Sequence, residues 1–385
     1  MLVAGSSFLL FKYPGVLTKP KATLRSALVV GNLVVDSVDQ FEKFRSFRAV
    51  VKSPQIAGSP AVRQDRGVGV FVLGESATRN RWSLYGYDRP TTPQMDAIRS
   101  ELVAFSNFVG AAWNTAEAMR LLLTEASVDD LNDMRCTLPQ LLSRAGIDCR
   151  LLSSQERWGE NDGFELFAFA GCREMSFMSD GRHGTDWYDD ALLASLEREL
   201  TKAATGPRVF FLHLKGSHFP PALNYPRNFA KFAREAVDAQ SQIVPSLNVN
   251  NYDNTIAFTD MILGKIVGML KARGGSSWMF YVSDHGESID SPRFRMPSDP
   301  SLWELPMVFW TSPEYRASHA GLMAKAREYT DAPLQSDLLF ATILRICDVE
   351  GYESARPETS FEAAPFGYRK VRRICDGAKV YERRR

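Results

Sequence analysis

The sequence lacks several features that would at once assign a protein to a class. No stretch reaches the roughly 18 apolar residues that a membrane-spanning helix needs, and no basic start with a long apolar run and small-residue cleavage site indicates a signal peptide. Lys and Arg number 46 against 45 Asp and Glu, so the net charge of +1 gives no global field that would favour nucleic acid. From the sequence as written we expect a soluble protein without a nucleic-acid partner.

Cysteine is scarce and unpatterned. The five cysteines show no CxxC or zinc-finger spacing, which excludes the common metal-binding and redox motifs built on cysteine. Two disulfides with one free thiol would suit an exported protein, whereas five free cysteines fit the sequence equally well. Both alternatives stay open for Cys136, Cys149, Cys172, Cys347 and Cys375.

The chain of 385 residues is long enough for one large α/β domain or two smaller ones, and its 45% of hydrophobic residues can form a substantial core. We divide it into a lead-in and linker at 1–62, a catalytic domain at 63–350 and a carboxy-terminal extension at 351–385. The extension ends in a basic tail, which we interpret as a solvated terminus in preference to a patch for lipid headgroups.

Apolar β-type runs alternate with helical patterns from residue 68 onward. This alternation predicts an α/β fold with a mostly parallel sheet that is covered by helices on both faces. The predicted strands are Val68–Leu73, Val103–Phe108, Asp148–Leu152, Arg208–His213, Trp278–Val282 and Met307–Trp310. The predicted helices are Cys136–Ala145, Asp189–Ala203, Tyr252–Arg273 and Leu334–Cys347.

Two acidic motifs follow predicted strands about two hundred residues apart. Glu75 follows the first strand, and the pair Asp284 and His285 follows the strand that ends at Val282. The carboxyl ends of parallel strands meet at one edge of a sheet, and Glu, Asp and His are ligands suited to zinc. A carboxylate that only stabilises the start of a helix is the alternative for Glu75.

Hydroxyl and imidazole groups complete the candidate site. Thr115 stands where a helix is expected to begin, so it is either an ordinary N-cap or a nucleophile beside a metal. His213 and His218 lie within six residues at a strand end, a spacing that favours binding or proton transfer over a single buried histidine. His183 and His319 have no comparable setting, and we expect both at the surface.

With these residues assembled, the chain resembles the phosphoethanolamine transferases of the alkaline phosphatase and sulfatase superfamily. The resemblance runs from about Val68 to Cys347 and rests on long motifs in the same order: GESATRNRWSLYGYDRPTTP from Gly74, HLKGSHF from His213, YDNTIAFTDMILGKIVGML from Tyr252 and YVSDHGES from Tyr281. It implies an alkaline-phosphatase-like α/β/α sandwich whose zinc ligands are Glu75, Asp284, His285 and Thr115.

The resemblance also implies an activity. Thr115 would act as the nucleophile that takes phosphoethanolamine from phosphatidylethanolamine, and His213 and His218 would bind substrate. The acceptor would be lipid A, lipopolysaccharide core or a periplasmic glycan, at the periplasmic face of a bacterial inner membrane. A hydrolase of the same superfamily and a silent headgroup-binding remnant are the alternatives; the sulfatase branch is weakened because Ala116 and Glu117 follow Thr115.

Two departures from the family pattern affect these expectations. The stretch 289–304 holds no histidine where the family has one, so one zinc site is expected and a second is not; Arg293 or Arg295 would bind a phosphate there instead. The family's transmembrane bundle is missing from this chain, which suggests a truncated product, a late start or a form that depends on a partner.

Overall fold

The computed structural model describes residues 49–63, 67–157, 167–180, 187–236, 248–289, 298–353, 371–376 and 379–384. The chain divides into two compact units, Met1–Ala49 and Val50–Arg385, and every strand and helix with described bounds lies in the second. Within these residues no helix is long and apolar enough to cross a membrane.

A seven-stranded sheet forms the centre of the fold, in the order β3-β9-β8-β2-β7-β5-β6. Its inner strands are parallel, whereas β9 runs antiparallel to both β8 and β3. Three two-stranded pairs, β1 with β11, β4 with β10 and β12 with β13, lie outside it. The strands are β1 Gly58–Val62, β2 Val68–Gly74, β3 Leu102–Ala104, β4 Phe108–Val109, β5 Asp148–Ser153, β6 Glu174–Phe177, β7 Arg208–His213, β8 Ser277–Ser283, β9 Met307–Thr311, β10 Leu334–Gln335, β11 Val349–Tyr352, β12 Val371–Asp376 and β13 Lys379–Arg384.

Helices cover both faces of this sheet. Their bounds are α1 Pro93–Ala97, α2 Thr115–Leu123, α3 Leu138–Arg144, α4 Ala191–Thr201, α5 Val249–Arg273, α6 Pro313–Ser318, α7 Ala320–Glu328 and α8 Leu339–Ile346. One face joins Val70 and Val72 of β2 to buried apolar residues of α4 and α5. Successive strand residues point to opposite faces, so Phe71 packs on the other side, where its ring lies 5.9 Å from Phe280 and 5.7 Å from Phe211. The predicted mostly parallel sheet with two covered faces is confirmed.

The predicted strand Val103–Phe108 is wrong as one element. The structure has β3 at Leu102–Ala104 on the edge of the sheet and β4 at Phe108–Val109, which pairs with β10 instead. Between them the chain turns away, because the amide of Phe105 still donates to Met307 O but that of Ser106 donates to Thr330 O. Alternating apolar residues do not reveal this change of partner.

The predicted helix Leu334–Cys347 begins later than expected. Leu334 and Gln335 form β10, a 3₁₀ turn follows at Ser336–Leu338, and α8 starts only at Leu339. The amide of Leu334 donates to Asn107 O at 3.1 Å, so tertiary pairing overrides helical spacing here. The other predicted strands and helices are confirmed with shifts of a few residues at their ends.

The remaining expectations have mixed outcomes. Cys136, Cys149, Cys172 and Cys347 are free thiols. The expectation that His319 is a surface residue is wrong, because its side chain is only 10% exposed and its ring stacks on Tyr315 at 4.0 Å. His183, Arg293 and Arg295 lie outside the described residues.

The domain boundaries stay a prediction, but a strand pair joins the predicted linker to the end of the predicted catalytic domain. Strand β1 occupies the predicted linker and pairs antiparallel with β11 at the far end of the predicted catalytic domain.

Candidate metal centre

Strands β2 and β8 place the two acidic motifs side by side. They are parallel neighbours in a register that pairs Leu73 with Val282 and Gly74 with Ser283. The amide of Asp284 continues the pairing and donates to Gly74 O at 3.1 Å. Glu75 and Asp284 therefore leave the same edge of the sheet at adjacent positions, although they are far apart in sequence.

Glu75, Asp284 and His285 form a compact buried cluster. One ligand atom from each lies within 4.8 Å of the others. His285 Nε2 is 3.2 Å from Glu75 Oε1 and 3.6 Å from Asp284 Oδ2, and each of the three residues is at most 2% exposed. Imidazole nitrogen and carboxylate oxygen are both zinc donors, and three protein ligands are the number that a catalytic zinc site uses.

Hydrogen bonds to the backbone orient these side chains. Asp284 Oδ1 accepts from the amides of Ser76 at 3.1 Å and His285 at 2.6 Å, whereas its Oδ2 is buried with no hydrogen-bond partner. His285 Nδ1 lies 2.8 Å from Gly286 O, a group that can only accept. We therefore assign a ring proton to Nδ1, and Nε2, which faces the cluster, is the nitrogen that would bind a metal ion.

The electrostatics of the cluster favour a cation. Burial and the neighbouring Glu75 carboxylate raise the pKa of Asp284 well above its usual range. Burial opposes ionisation of Glu75 as well, but the charge and hydrogen bond of His285 hold the pKa of Glu75 below its ordinary value. A buried carboxylate oxygen without a donor, beside a second carboxylate, is the environment that a divalent ion stabilises. The residues present therefore fit a zinc ion.

Helix α2 brings Thr115 to this cluster. Thr115 Oγ1 lies 3.2 Å from Glu75 Oε2, to which it donates, and 3.5 Å from His285 Nε2. The N-cap is Asn114, whose Oδ1 accepts from Glu117 N at 3.0 Å, so the interpretation of Thr115 as the N-cap is wrong. Thr115 is the first residue of the helix, and its hydroxyl faces the carboxylate instead of capping the backbone.

Ser76 and Tyr252 support the cluster, and sequence reasoning missed both. Ser76 has a φ of +56°, and its hydroxyl donates to Glu75 Oε1 at 2.6 Å. Tyr252 of α5 donates its phenol hydrogen to Ser76 O at 2.6 Å and accepts from Thr78 N at 2.8 Å. Because a left-handed backbone is costly for a serine, these two bonds hold a turn that would otherwise relax. The YDNT segment carries this tyrosine, but nothing local indicates its role.

The two histidines after β7 have different environments. His213 is buried against the Phe169 ring at 5.7 Å, and burial lowers its pKa to about 4, so it is neutral at pH 7. His218 is exposed, and its charge acts on the Glu75 carboxylate. His218 can therefore meet a ligand at the mouth of the site, whereas His213 is positioned as an interior residue next to the same carboxylate.

Asp189 fixes the turn between these histidines. Its carboxylate accepts from the amides of Lys215 at 2.7 Å and Gly216 at 2.9 Å. Gly216 has a φ of +52°, and a Cβ there would stand 2.7 Å from Glu75 O, so only glycine fits this close approach. Ser217 N also donates to Glu75 O at 2.8 Å, which ties the turn to the strand end that carries Glu75.

Comparison with known proteins defines the family. The model of the sulfatase family matches residues 68–349, and this chain belongs to that family. Solved structures of the alkaline phosphatase superfamily share the fold, which confirms the expected alkaline-phosphatase-like α/β/α sandwich.

Curated relatives confirm the resemblance to phosphoethanolamine transferases. Phosphoethanolamine transferase EptA of Helicobacter pylori is 27% identical over 84% of this chain and 62% of its own length. The Kdo(2)-lipid A phosphoethanolamine 7''-transferase of Salmonella typhimurium is 27% identical over 71% of this chain and 50% of its own length. The chain thus spans between half and about three-fifths of these relatives.

A solved domain matches almost over its full length. The C-terminal periplasmic domain of EptC from Escherichia coli, in a crystal structure with zinc, superimposes with a TM-score of 0.72 at 23% identity. The match covers 86% of this chain and 96% of that domain.

Proposed function

We propose that this protein transfers phosphoethanolamine from phosphatidylethanolamine to a lipid or glycan acceptor of the bacterial cell envelope, with Thr115 as the covalent nucleophile. The observation that carries the proposal is the position of Thr115 Oγ1, at the start of a helix and 3.2 Å from a carboxylate of the metal-binding cluster. The names of the curated relatives support the transferred group, and one of them supports lipid A as an acceptor.

Glu75, Asp284 and His285 would hold one Zn²⁺, and Thr115 would lie beside it. Bound there, zinc lowers the pKa of a neighbouring hydroxyl and neutralises negative charge on phosphoryl oxygens. A second zinc stays outside the proposal.

The first transfer proceeds on the chain's own residues. Thr115 Oγ1 attacks the phosphorus of the donor, an O–P bond forms, and the bond from phosphorus to the diacylglycerol oxygen breaks. Thr115 loses a proton and the departing diacylglycerol oxygen gains one. The amino-terminal end of the helix α2 dipole favours an anion here, where the phosphoryl oxygens would lie.

The second transfer reverses this chemistry with a different oxygen. A hydroxyl or protonated phosphate oxygen of the acceptor attacks the same phosphorus, the bond to Thr115 Oγ1 breaks, and the proton that the acceptor oxygen releases returns to Thr115. His218, exposed beside the Glu75 carboxylate, is placed to contact the substrate phosphate. We place the reaction at the periplasmic face of the inner membrane, since the matched EptC domain is periplasmic.

Intact-mass spectrometry of the zinc-loaded protein after incubation with phosphatidylethanolamine tests the nucleophile and the donor. We expect the mass of one phosphoethanolamine group on the parent, none on Thr115→Ala, and an unchanged adduct on Thr201→Ala, which alters an exposed threonine at the end of α4. Release of phosphoethanolamine into water without an acceptor would indicate a hydrolase instead. An adduct on Thr115→Ala would refute the assigned nucleophile.

A further inference from the structure

A loop next to the candidate metal centre exposes an apolar side chain. The loop comprises residues 218–236 and begins at His218, which is exposed and whose charge acts on the Glu75 carboxylate. Leu223 is 47% exposed, and in the described part of the chain no other large hydrophobic residue is exposed. Asn224 Nδ2 donates to His218 O, so the residue next to Leu223 contacts the turn that carries His218. The exposed leucine therefore lies beside the site.

The loop carries more basic than acidic side chains. Its basic residues are Arg227, Lys231 and Arg234, and its only acidic residue is Glu235. Arg227 and Lys231 are exposed. The carboxylate of Glu235 already accepts from the amide of Asn250 at 3.0 Å. The positive charge of the loop is thus presented to solvent, where it attracts an anionic partner.

Two contacts join this charge to apolar groups of the loop. Arg234 Nη2 donates to the carbonyl oxygen of Ala222, which directly precedes Leu223, at 2.6 Å. Lys231 Nζ lies 5.1 Å from the centre of the Phe229 ring, which is itself half-buried. Cations placed beside exposed apolar and aromatic groups are typical of surfaces that lie at the boundary between lipid headgroups and acyl chains.

The shape of the loop is fixed by buried side chains of α5. Asn254 Oδ1 accepts from the amides of Lys231 at 2.7 Å and Phe232 at 2.9 Å, and Asn254 Nδ2 donates to Phe232 O at 3.0 Å. The hydroxyl of Tyr225 donates to Asn251 Oδ1 at 2.7 Å, and all three of these polar side chains on the two elements are buried. The loop is therefore preformed, and binding through it costs little conformational entropy.

We propose that this loop is a membrane-contact surface. Leu223 enters the boundary between headgroups and acyl chains, and the three basic side chains contact anionic headgroups. The contact itself stands on exposure and charge alone. Its consequence, that membrane-borne lipids reach Thr115 from this side, rests on the proposed transferase function.

Vesicle flotation tests the contact without any catalysis. We expect the purified protein to bind phosphatidylcholine vesicles that contain one-third phosphatidylglycerol, to bind pure phosphatidylcholine more weakly, and to dissociate as salt is raised. Arg227→Gln with Lys231→Gln should weaken binding to the anionic vesicles about tenfold or more. Arg227→Lys with Lys231→Arg keeps the charge and should retain binding.

A matched control removes two exposed cations elsewhere, by Arg144→Gln with Lys265→Gln. The change in net charge is the same, so binding within about twofold of the parent shows that the position of the charge matters. Equal loss in this control, or no loss in the loop variant, overturns the proposal.

Quenching by lipids with brominated acyl chains tests whether Leu223 enters the membrane. The tryptophan of Leu223→Trp should be quenched by vesicles that contain such lipids, whereas that of Ala324→Trp, at an exposed position of α7, should not. The parent supplies the background of its own tryptophans. Absence of quenching in Leu223→Trp, or equal quenching in Ala324→Trp, overturns the insertion of Leu223.

Leu223→Ser tests the consequence for lipid substrates. Formation of the Thr115 adduct from phosphatidylethanolamine in vesicles should fall about tenfold, since the apolar contact is lost, and formation from dissolved dihexanoyl phosphatidylethanolamine should stay at the parental rate. Equal loss with both donors, or no loss with vesicles, overturns this consequence. A dimer of the parent that Leu223→Ser dissociates in sedimentation would assign the surface to a second copy of the chain instead. Failure of the parent to form an adduct with either donor refutes the proposed function, and flotation and quenching still decide on the loop.

Discussion

Replacing Asp284 by asparagine separates the hydrogen bonds that this carboxylate accepts from the negative charge that it carries. Its Oδ1 accepts from the amides of Ser76 and His285, and the oxygen of an asparagine can keep both bonds. Its Oδ2 is buried without a hydrogen-bond partner, and the charge associated with it is what the substitution removes. The variant should therefore fold like the parent but lose a metal ligand.

In the absence of zinc, the substitution should not destabilise the protein. Glu75 and Asp284 oxygens within 4.8 Å would repel by about 3–4 kcal/mol if both were charged, at an effective dielectric constant of about 20. Protonation of Asp284, whose pKa is raised, relieves part of this cost. We expect the free energy of unfolding of the zinc-free variant to equal that of the parent or to exceed it by about 1–3 kcal/mol.

With zinc bound, we expect the opposite order: the parent should be more stable to unfolding than Asp284→Asn. At a concentration one hundred times its dissociation constant, a ligand stabilises the folded state by about 2.7 kcal/mol. The parent should gain this amount, and Asp284→Asn should gain little, because one of three protein ligands is lost. Thermal unfolding with and without zinc, with zinc content measured by elemental mass spectrometry, gives both quantities.

Asp260→Asn is the matched control for this experiment. Asp260 is also a buried aspartate that accepts two backbone amides, those of Gln94 and Met95, but it lies outside the cluster. Its variant should keep the full response to zinc. A zinc response of parental size in Asp284→Asn would refute the ligand assignment, and a strongly destabilised zinc-free variant would refute the repulsion argument.

Three further predictions concern the surroundings of the site. Asn114→Ala removes the cap of α2 and should cost about 1 kcal/mol of stability and lower the rate of adduct formation on Thr115; an unchanged rate would show that the cap does not position the nucleophile. His218→Ala should raise KM more than it lowers kcat and leave zinc content unchanged, and loss of zinc would place His218 among the ligands. Burial raises the pKa of Asp260 from 3.8 to about 7, so the folded state holds this proton more tightly than the unfolded state. Stability from this group is therefore full below about pH 4 and is lost as the pH rises to about 7; Asp260→Asn should flatten that slope in zinc-saturated thermal unfolding, and a parental slope would contradict the shift.

Much of the site could be predicted because most of its residues directly follow strands of the central sheet. Glu75 and the pair Asp284 and His285 each follow an apolar run, and parallel strands carry such residues to one edge of the sheet. Thr115 could be placed at a helix start, but the sequence did not distinguish a cap from a nucleophile. That distinction depends on Asn114. Because Asn114 is the N-cap of the helix, the hydroxyl of Thr115 donates to Glu75 instead.

The edges of the fold were harder to predict, because short strands are defined by their partners. Leu334 and Gln335 have the spacing of a helix, yet they pair with Phe108 and Val109. His319 looked like a surface residue, but its ring stacks on Tyr315. In both cases contacts with residues distant in sequence decide the outcome, and no local pattern records them.

The sequence by itself determined the alternation of strands and helices, the family motifs and the residue types available for metal binding, because these depend on local spacing. Only the tertiary structure decided which of them meet. The adjacency of β2 and β8 joins Glu75 to His285. The packing of Ile374 against Val109, Leu302 and Trp303 attaches the carboxy-terminal hairpin to the rest of the fold. Both arrangements arise from burial of apolar surface between segments far apart in the chain, which local sequence cannot specify.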